Sequence, residues 1–279
     1  MSAVFATIGA LGAPARAASV ASPVSVARAM WVWDTSNPQA TVALALDHGI
    51  GQLYAAVPAH VDTSAQLSQL KDLSQRATQA GIRVDALGGD PGWIDNPASV
   101  VDAWLRPALA TGLFTGVHLD IEPYTTPAWT TSRAKVVKKW LATIDTLRSA
   151  AGGAPVEADI PFWLDQVPAN GSTLDSEIIR RTSGVTVMAY RNTADGADGS
   201  IALSSKAVAA GESLGRPVRI GQETNNLGTS PTETKQTFYG FPRTAMETQL
   251  GLIRSAFAGS TAYAGLAIED CAGYAAMAP

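Results

Sequence analysis

The chain has 279 residues, of which 46% are hydrophobic and 16% are charged, and its formal net charge is -4 with a pI near 5.4. This composition supplies one sizeable apolar core and excludes an intrinsically disordered chain. No run of Lys and Arg forms the basic stripe that nucleic-acid binding needs, so we expect no nucleic-acid partner. The length fits one domain.

The N-terminal segment, residues 1–17, is a run of small apolar residues that closes on Ala15-Arg16-Ala17. A short apolar run before small residues at a cleavage point is typical of a secretory leader. We therefore predict that residues 1–17 are removed, that residues 18–279 form the mature domain and that the protein is secreted. No other stretch reaches the roughly 20 apolar residues of a membrane span, and the single Cys271 cannot form an internal disulfide.

Beyond this segment the sequence repeats one unit: a short β-rich run, then polar or Gly/Pro residues, then a helical stretch. The predicted strands cover residues 29–33, 51–57, 83–87, 116–121, 156–160, 185–190, 218–222 and 263–268. The predicted helices cover residues 39–47, 64–80, 97–111, 127–151, 174–182, 200–214 and 245–257, and a short helix ends the chain. Eight such units predict an α/β fold, a single (β/α)8 TIM barrel whose site lies at the C-terminal face of the strands. The loop of residues 222–242 is long for such a unit, and we expect it to help build the site.

The most informative segment is GVHLDIEPY, residues 116–124, at the end of the fourth predicted strand. Side chains alternate between the two faces of a strand. The segment therefore splits into an apolar set, Val117, Leu119 and Ile121, and an ionisable set, His118, Asp120 and Glu122. Three buried ionisable groups are costly unless they reach an opening and have partners. We predict that the ionisable set faces the barrel axis at its open C-terminal mouth.

The Asp-x-Glu of this segment resembles the fourth-strand signature of the family-18 glycoside hydrolases, the chitinases and their relatives, in which the Glu is the acid. Asp120 and Glu122 match the two signature positions, and Met188-Ala189-Tyr190 is similar to the family's Met-x-Tyr on strand six. The resemblance implies a barrel enzyme that hydrolyses glycosidic bonds.

The chain also departs from that family at three positions. Thr115 and His118 stand where the family has further carboxylates on strand four, and Arg191 stands where an Asp often follows the Tyr. These departures point away from chitin specificity and from substrate-assisted chemistry. A distant relative among the barrel glycosidases is the description that they favour.

Glycoside hydrolysis needs one carboxylic acid to protonate the leaving oxygen and a second group to stabilise the positive anomeric centre. We assign the first role to Glu122, whose pKa we expect partial burial and the charge of Asp120 to raise. Asp120 would then orient Glu122 or stabilise the cation. Glu223, after the seventh predicted strand, is a rival partner, because Glu122-Pro123 also resembles the acid/base of a retaining clan that pairs strand-four and strand-seven Glu residues. Such a pair would form a covalent intermediate.

Other polar and aromatic residues follow the ends of the remaining predicted strands. The predicted substrate-binding set is His118, Tyr190, Asp159, Trp33, Asp34, Asp90, Trp93, Trp163, Glu269 and Asp270. Flat indole faces suit the C–H face of a sugar ring, and Trp129 belongs to the same rim group, whereas Trp104 and Trp140 are expected in the core. The carboxylates have a structural alternative, which is to cap the next helix or to make buried hydrogen bonds.

Two other classes of function stay open at this point. His118, Asp120 and Glu122 have the spacing to bind a divalent cation that activates water, although the chain has no His-x-His and no cysteine cluster. A barrel that binds carbohydrate without cleaving it is the other class. Because both Asp120 and Glu122 are present, we favour the glycosidase, with a carbohydrate as partner, no cofactor, no membrane association and a monomeric state.

Overall fold

A computed structural model describes residues 28–279, so the predicted leader, residues 1–17, lies outside the described residues. Eight parallel strands close into one barrel, in the order β1-β8-β7-β6-β5-β4-β3-β2 around its circumference. The strands are β1 (Arg28–Val32), β2 (Ile50–Ala56), β3 (Arg83–Gly88), β4 (Val117–Leu119), β5 (Val156–Pro161), β6 (Gly184–Met188), β7 (Val218–Glu223) and β8 (Tyr263–Glu269). The predicted (β/α)8 barrel is confirmed, and each predicted strand overlaps an observed one.

The helices that follow the strands surround the barrel. They are α1 (Pro38–Asp47), α2 (Leu67–Gln79), α3 (97–110), α4 (Arg133–Ala150), α5 (Leu174–Arg181), α6 (Ser200–Leu214), α7 (Arg243–Phe257) and α8 (Cys271–Ala276). The predicted helix over 127–151 is two helices, because Ser132 (φ -148°, ψ 37°) leaves the helical region between Pro127–Thr131 and α4. Within residues 28–279, no helix has both the length and the apolar character needed to cross a membrane.

Helix α3 contains a wide turn next to a proline. Its central segment, Val101–Leu105, is π-helical, and Pro107 follows in the next turn. Pro107 has no N–H for the carbonyl of Ala103, four residues earlier. That carbonyl accepts a hydrogen bond from the His60 N–H at 2.6 Å instead. The bond ties the loop after β2 to α3, and both segments line a cleft at the mouth of the barrel.

Alternation along the strands separates two apolar cores. Outward residues of β4 and the turn after it, Val117, Leu119 and Ile121, belong to the large core between the sheet and the helices. Inward residues of the other strands form a smaller cluster on the axis, Ala29, Trp31, Tyr54, Leu87 and Ala267. The predicted assignment of the apolar set of β4 to the outer layer is confirmed.

The barrel axis nearer the N-terminal ends of the strands is filled by paired polar side chains. Gln52 Nε2 donates to Asp85 Oδ2, and Arg219 Nη1 donates to Glu157 Oε2 at 3.3 Å. Burial would raise the pKa of Glu157, but the neighbouring His118 ring and the Arg219 guanidinium lower it to about 2. This layer gives the barrel a polar, charge-paired floor beneath the mouth.

The long loop after β7 folds back against the end of its own strand. The Phe238 N–H donates to the Glu223 carbonyl at 2.9 Å, and Thr237 Oγ1 donates to the Asn225 carbonyl at 2.7 Å. A short helix within the loop, Pro231–Thr234, begins with a capping box of Ser230 and Glu233. These bonds give the loop a defined conformation beside the mouth.

Candidate active site

The end of β4 is held in place by a close approach from β3. The Asp120 N–H donates to the Gly88 carbonyl at 3.0 Å, and a Cβ on Gly89 would lie 1.9 Å from the Asp120 carbonyl oxygen. Glycine at position 89 is what permits this approach. The contact sets the height at which Asp120 and Glu122 enter the mouth of the barrel.

His118 lies on the axis immediately below the mouth and is fully buried. Its ring stacks on Tyr54, with centroids 3.6 Å apart, and Nε2 is 2.8 Å from Asp159 Oδ1. Its Nδ1 is 3.8 Å from Glu157 Oε2, which is too far for a hydrogen bond. Burial disfavours the charged ring, but the charge of Asp159 and the hydrogen bond to it raise the pKa of His118 to about 9. His118 and Asp159 therefore form a buried ion pair at neutral pH.

Asp159 points inward from β5, and both of its carboxylate oxygens are hydrogen-bonded. The Trp31 Nε1–H donates to Oδ2 at 3.1 Å, and His118 occupies Oδ1. The two donors fix the direction in which the carboxylate points. Its charge acts on Asp120 and Glu122 above it.

Among the carboxylates at the mouth, that of Asp120 has the fewest hydrogen-bond partners. Its Oδ1 is buried and has no hydrogen-bond partner among the described residues. Burial first, and then the charges of Asp159 and Glu122, raise the pKa of Asp120 well above its ordinary value. Asp120 and Glu122 together therefore retain a proton at pH values at which an exposed carboxyl has lost it.

Glu122 is partly exposed at the mouth, and one side chain, Tyr124, donates to it through its hydroxyl on Oε1. Burial raises the pKa of Glu122, the Tyr124 hydrogen bond lowers it, and the charge of Asp159 raises it further. The net direction is upward, as predicted. The charge involved differs from the prediction, because Asp159 supplies the repulsion that we had assigned to Asp120.

Tyr124 is held by three indole rings. Its ring centroid lies 6.3 Å from Trp129, 6.1 Å from Trp140 and 5.2 Å from Trp163. Trp129 is buried, and it packs edge-on against Trp163 at 5.8 Å. Trp129 and Trp163, which the sequence placed among the sugar-stacking rim residues, thus pack around the tyrosine that contacts Glu122. Trp140 lies in the core as predicted.

Glu223 and Glu269 are partners in the register of β7 and β8. Glu223 Oε1 accepts hydrogen bonds from the Thr224 N–H, the Asn225 N–H and Asn225 Nδ2 at 2.8, 2.6 and 3.0 Å. Burial raises the pKa of Glu223, and these three donors act against that shift. Glu269 accepts from Trp33 Nε1 at 2.6 Å, and burial together with the charge of Glu223 raises its pKa well above the ordinary value.

Tyr190 joins this group from the residues that follow β6. A Cβ on Gly221 would lie 3.2 Å from Tyr190 Cε1 and 3.3 Å from Trp31 Cη2, so the absent side chain leaves room for both rings. Burial, followed by the charges of Glu269 and Glu223, raises the pKa of Tyr190 well above its ordinary value. Tyr190 is therefore a neutral hydrogen-bond donor beside the carboxylates.

A cleft of about 740 Å³ opens beside the mouth above β1, β2 and β3. Trp33, with 42% of its surface exposed, stands at its edge, and Trp93 and Asp90 line it. Gly89, which contacts the Asp120 backbone, also lines the cleft and so connects it to the end of β4. The predicted residues Trp33, Trp93 and Asp90 thus share one depression next to Asp120.

Three predicted carboxylates also have local structural partners. Asp34 is exposed and accepts from the Ser36 N–H at 2.9 Å, and Asp90 accepts from the Gly92 N–H at 2.7 Å. Asp270 caps α8 by accepting from the Gly273 N–H at 2.9 Å. Asp34 and Asp270 line a separate pocket of about 470 Å³ beside α1 and α8. The turn and capping alternative fits these two residues, which lie to one side of the mouth.

Sequence reasoning missed three residues of this site: Tyr124, Trp31 and Tyr54. Tyr124 lies inside the segment that the sequence singled out, and its hydroxyl is the donor to Glu122. Trp31 and Trp33 are two residues apart, so their side chains lie on the same face of the strand. This alternation could have predicted that Trp31 faces the barrel axis. In the described part of the chain, no three His, Cys, Asp or Glu side chains have an arrangement that could hold a metal ion.

Comparison with solved structures agrees with the barrel. Similar structures include a GH18 chitinase from Cycas revoluta in complex with (GlcNAc)3, at 14% identity over 88% of this chain and 95% of that chain, with a TM-score of 0.56. A GH113 β-1,4-mannanase is similar at 11% identity over 89% of both chains, with a TM-score of 0.59. The Bacillus megaterium spore cortex-lytic enzyme SleL is similar at 12% identity over 88% of this chain and 70% of that chain, with a TM-score of 0.59.

At these identities the likeness establishes the fold alone. Comparison of the sequence with protein-family models gave no match, and comparison with curated proteins gave none either.

Proposed function

We propose that this protein is a secreted glycoside hydrolase that cleaves an oligo- or polysaccharide, with Glu122 as the proton donor. The observation that carries the proposal is the Glu122 carboxyl at the mouth, partly exposed and with a raised pKa, directly beside Asp120. An acid that must protonate a glycosidic oxygen at weakly acidic or neutral pH needs both properties. The similar structures of a chitinase, a mannanase and a cortex-lytic enzyme support the same class.

The neighbouring residues have separate parts in this proposal. Asp159, which is hydrogen-bonded to His118 and Trp31, repels negative charge on Asp120 and Glu122 and so favours the proton on that pair. When Glu122 gives its proton to the leaving oxygen, Asp120 lies on the same face of the chain to stabilise the positive anomeric carbon. His118 is enclosed below the mouth, so its part is to hold Asp159 and not to contact the sugar.

The substrate would occupy the cleft above β1, β2 and β3. Trp33 offers an exposed ring face there, and Asp90 and Asn96 offer polar groups at the cleft wall. A flat aromatic surface beside hydrogen-bonding groups is suited to a sugar ring, which has both apolar and hydroxyl faces. Tyr190 would donate to the sugar next to the cleaved bond.

A screen of polysaccharides with product analysis tests the proposal. Chitin, mannan, cellulose, xylan and peptidoglycan are incubated with the wild-type chain, with Glu122→Gln and with the control Glu212→Gln, which replaces an exposed carboxylate on α6. Turnover of one of these polymers that Glu212→Gln keeps and Glu122→Gln loses is the expected result. Equal turnover by all three proteins, or none by the wild type on any polymer, contradicts it.

Secretion is tested separately, because it depends on residues 1–17. The full chain, expressed in a bacterium with a general secretion pathway, should be recovered from the culture medium with its N-terminus near residue 18. Recovery only from the cells, with Met1 or Ser2 at the N-terminus, would contradict this part of the proposal.

A further inference from the structure

Three of the most exposed large apolar side chains lie on the C-terminal face of the barrel. Tyr239 and Phe241, in the loop after β7, expose 57% and 42% of their surfaces, and Trp33 exposes 42%. The other two large apolar residues that are exposed in residues 28–279, Leu46 and Leu252, are single side chains on helices α1 and α7. The exposed aromatic surface is therefore concentrated at the end of the barrel that carries Glu122.

The turn that carries Tyr239 and Phe241 is fixed from below. The Tyr239 N–H donates to Thr237 Oγ1 at 2.9 Å, and the Phe241 N–H donates to the Phe238 carbonyl at 3.0 Å. Phe238 is buried, and its ring packs edge-on against Phe241 at 6.1 Å. Two rings held on such a turn lose little conformational entropy when a ligand stacks on them.

The two rings border a second cleft, of about 580 Å³, which has a polar edge and an apolar side. Asn225 and Asn226 lie at the polar edge, and the apolar side is lined by Ala272, Ala276 and Met277 in and after α8. Asn225 Nδ2 is bonded to both Glu223 and Asp270, so the cleft adjoins the carboxylates at the ends of β7 and β8. Aromatic faces in the same cleft as side-chain amides match the two kinds of surface that a sugar presents.

We propose that Tyr239 and Phe241 form a distal carbohydrate subsite, which binds a further unit of the same glycan chain that Glu122 cleaves. The inference rests on the proposed function, and it adds a second sugar-binding site on the side of the mouth formed by β7 and β8. Two rings and a narrow cleft offer far less than the roughly 800 Å² per partner of a stable protein interface. They fit one or two sugar units, so the occupant is a polysaccharide and not a protein.

The experiment compares Tyr239→Ala and Phe241→Ala with Leu252→Ala, which removes an apolar side chain of similar exposure, 39%, from α7. Each protein is run through native gels that contain glycol chitin or galactomannan, and retardation measures binding without any turnover. We expect the wild type and Leu252→Ala to be retarded by one of the two polymers, and each aromatic variant to bind it about 3- to 10-fold more weakly. Unaltered folding is checked by circular dichroism.

A second readout uses β-1,4-linked oligosaccharides of N-acetylglucosamine and of mannose, from two to six units long. The aromatic variants should lose kcat/KM on the longest oligosaccharides and keep it on the disaccharides, because the subsite is remote from the cleaved bond. Absence of retardation of the wild type by either polymer overturns the subsite, as does equal retardation of all four proteins. Retardation that depends on the two rings, without turnover of any glycan, would support the subsite and contradict the proposed function.

Discussion

Two walls of the barrel mouth carry glutamates with different surroundings. Glu122, on the wall formed by β4 and β5, receives one hydrogen bond, from the Tyr124 hydroxyl. Glu223, at the end of β7, receives three on a single oxygen, two of them from backbone N–H groups. Burial raises the pKa of both carboxyls, and one hydrogen bond opposes the shift at Glu122 whereas three oppose it at Glu223.

The difference shows that position at a strand end does not by itself define an acid catalyst. Hydrogen bonds from backbone N–H groups favour the charged carboxylate over the neutral acid, and they connect the side chain to the loop that supplies them. A carboxyl with one side-chain donor, beside a second carboxyl that has an unpartnered oxygen, can hold a proton and give it up. These surroundings support the proposed role of Glu122 as the acid, whereas the donors to Glu223 connect it to the loop after β7.

The largest expected effect separates the two glutamates by activity. Glu122→Gln should lower kcat at least about 100-fold, because general acid catalysis contributes about 10² to 10⁴, while Glu223→Gln should lower it much less. Glu223→Gln keeps an acceptor oxygen for the three donors and removes a charge that burial disfavours, so the free energy of unfolding should stay within about 1 kcal/mol of the wild-type value. Activity assays and urea unfolding of both variants measure the two effects. If Glu223→Gln loses as much activity as Glu122→Gln and keeps its stability, Glu223 is the nucleophile of a retaining mechanism and the comparison fails.

The second expected effect is a pH dependence of the free energy of unfolding, which we attribute to His118 below the wall formed by β4 and β5. Folding raises the pKa of His118 from its ordinary value of 6.5 to about 9, because Asp159 stabilises the charged ring. The stabilisation that this charge contributes to the folded state is therefore fully present below pH 6.5 and is lost as the pH rises through 9. The free energy of unfolding should fall by roughly 2–3 kcal/mol over that range. His118→Gln should flatten the profile, whereas the control His60→Asn, at an exposed loop position, should not. A profile that is the same in the wild type and in His118→Gln would show that the ring is not charged in the folded protein.

A smaller effect tests the single donor to Glu122. Tyr124→Phe removes the hydroxyl but keeps the ring that packs on the three indoles. Because that hydrogen bond lowers the pKa of Glu122, its loss should raise the pKa, and the alkaline limb of the kcat/KM profile should move to higher pH. We expect kcat at the optimum to change only a few-fold, since the acid remains. Trp163→Phe, which leaves the hydroxyl in place, serves as the control and should not move the limb.

The sequence predicted the barrel and the inward direction of Asp120 and Glu122, because both follow from local periodicity. Strand alternation needs only neighbouring residues, and the structure places Val117, Leu119 and Ile121 in the outer core as alternation requires. The resemblance of the Asp-x-Glu segment to the family-18 signature gave the candidate acid before any contact was known.

Long-range contacts account for what the sequence could not predict. Trp129 and Trp163 follow strand ends as sugar-stacking residues would, but they pack on Tyr124, which no periodicity indicates. Asp159 lies on β5, the strand next to β4, but 37 residues after Glu122 in the chain, so the effect of its charge on Glu122 could not be read from the sequence. Asp270, similarly, caps the helix that begins at the next residue and bonds Asn225 from the loop after β7.

The most direct test of the central claim is a crystal structure of Glu122→Gln with an oligosaccharide of the polymer that the screen identifies. The account predicts a glycosidic oxygen within about 2.6–3.2 Å of the side-chain amide at position 122, with the sugar beside Asp120 and Tyr190. A sugar chain bound with its glycosidic oxygens closer to Glu223, or away from the mouth altogether, would contradict the assignment of Glu122 as the acid.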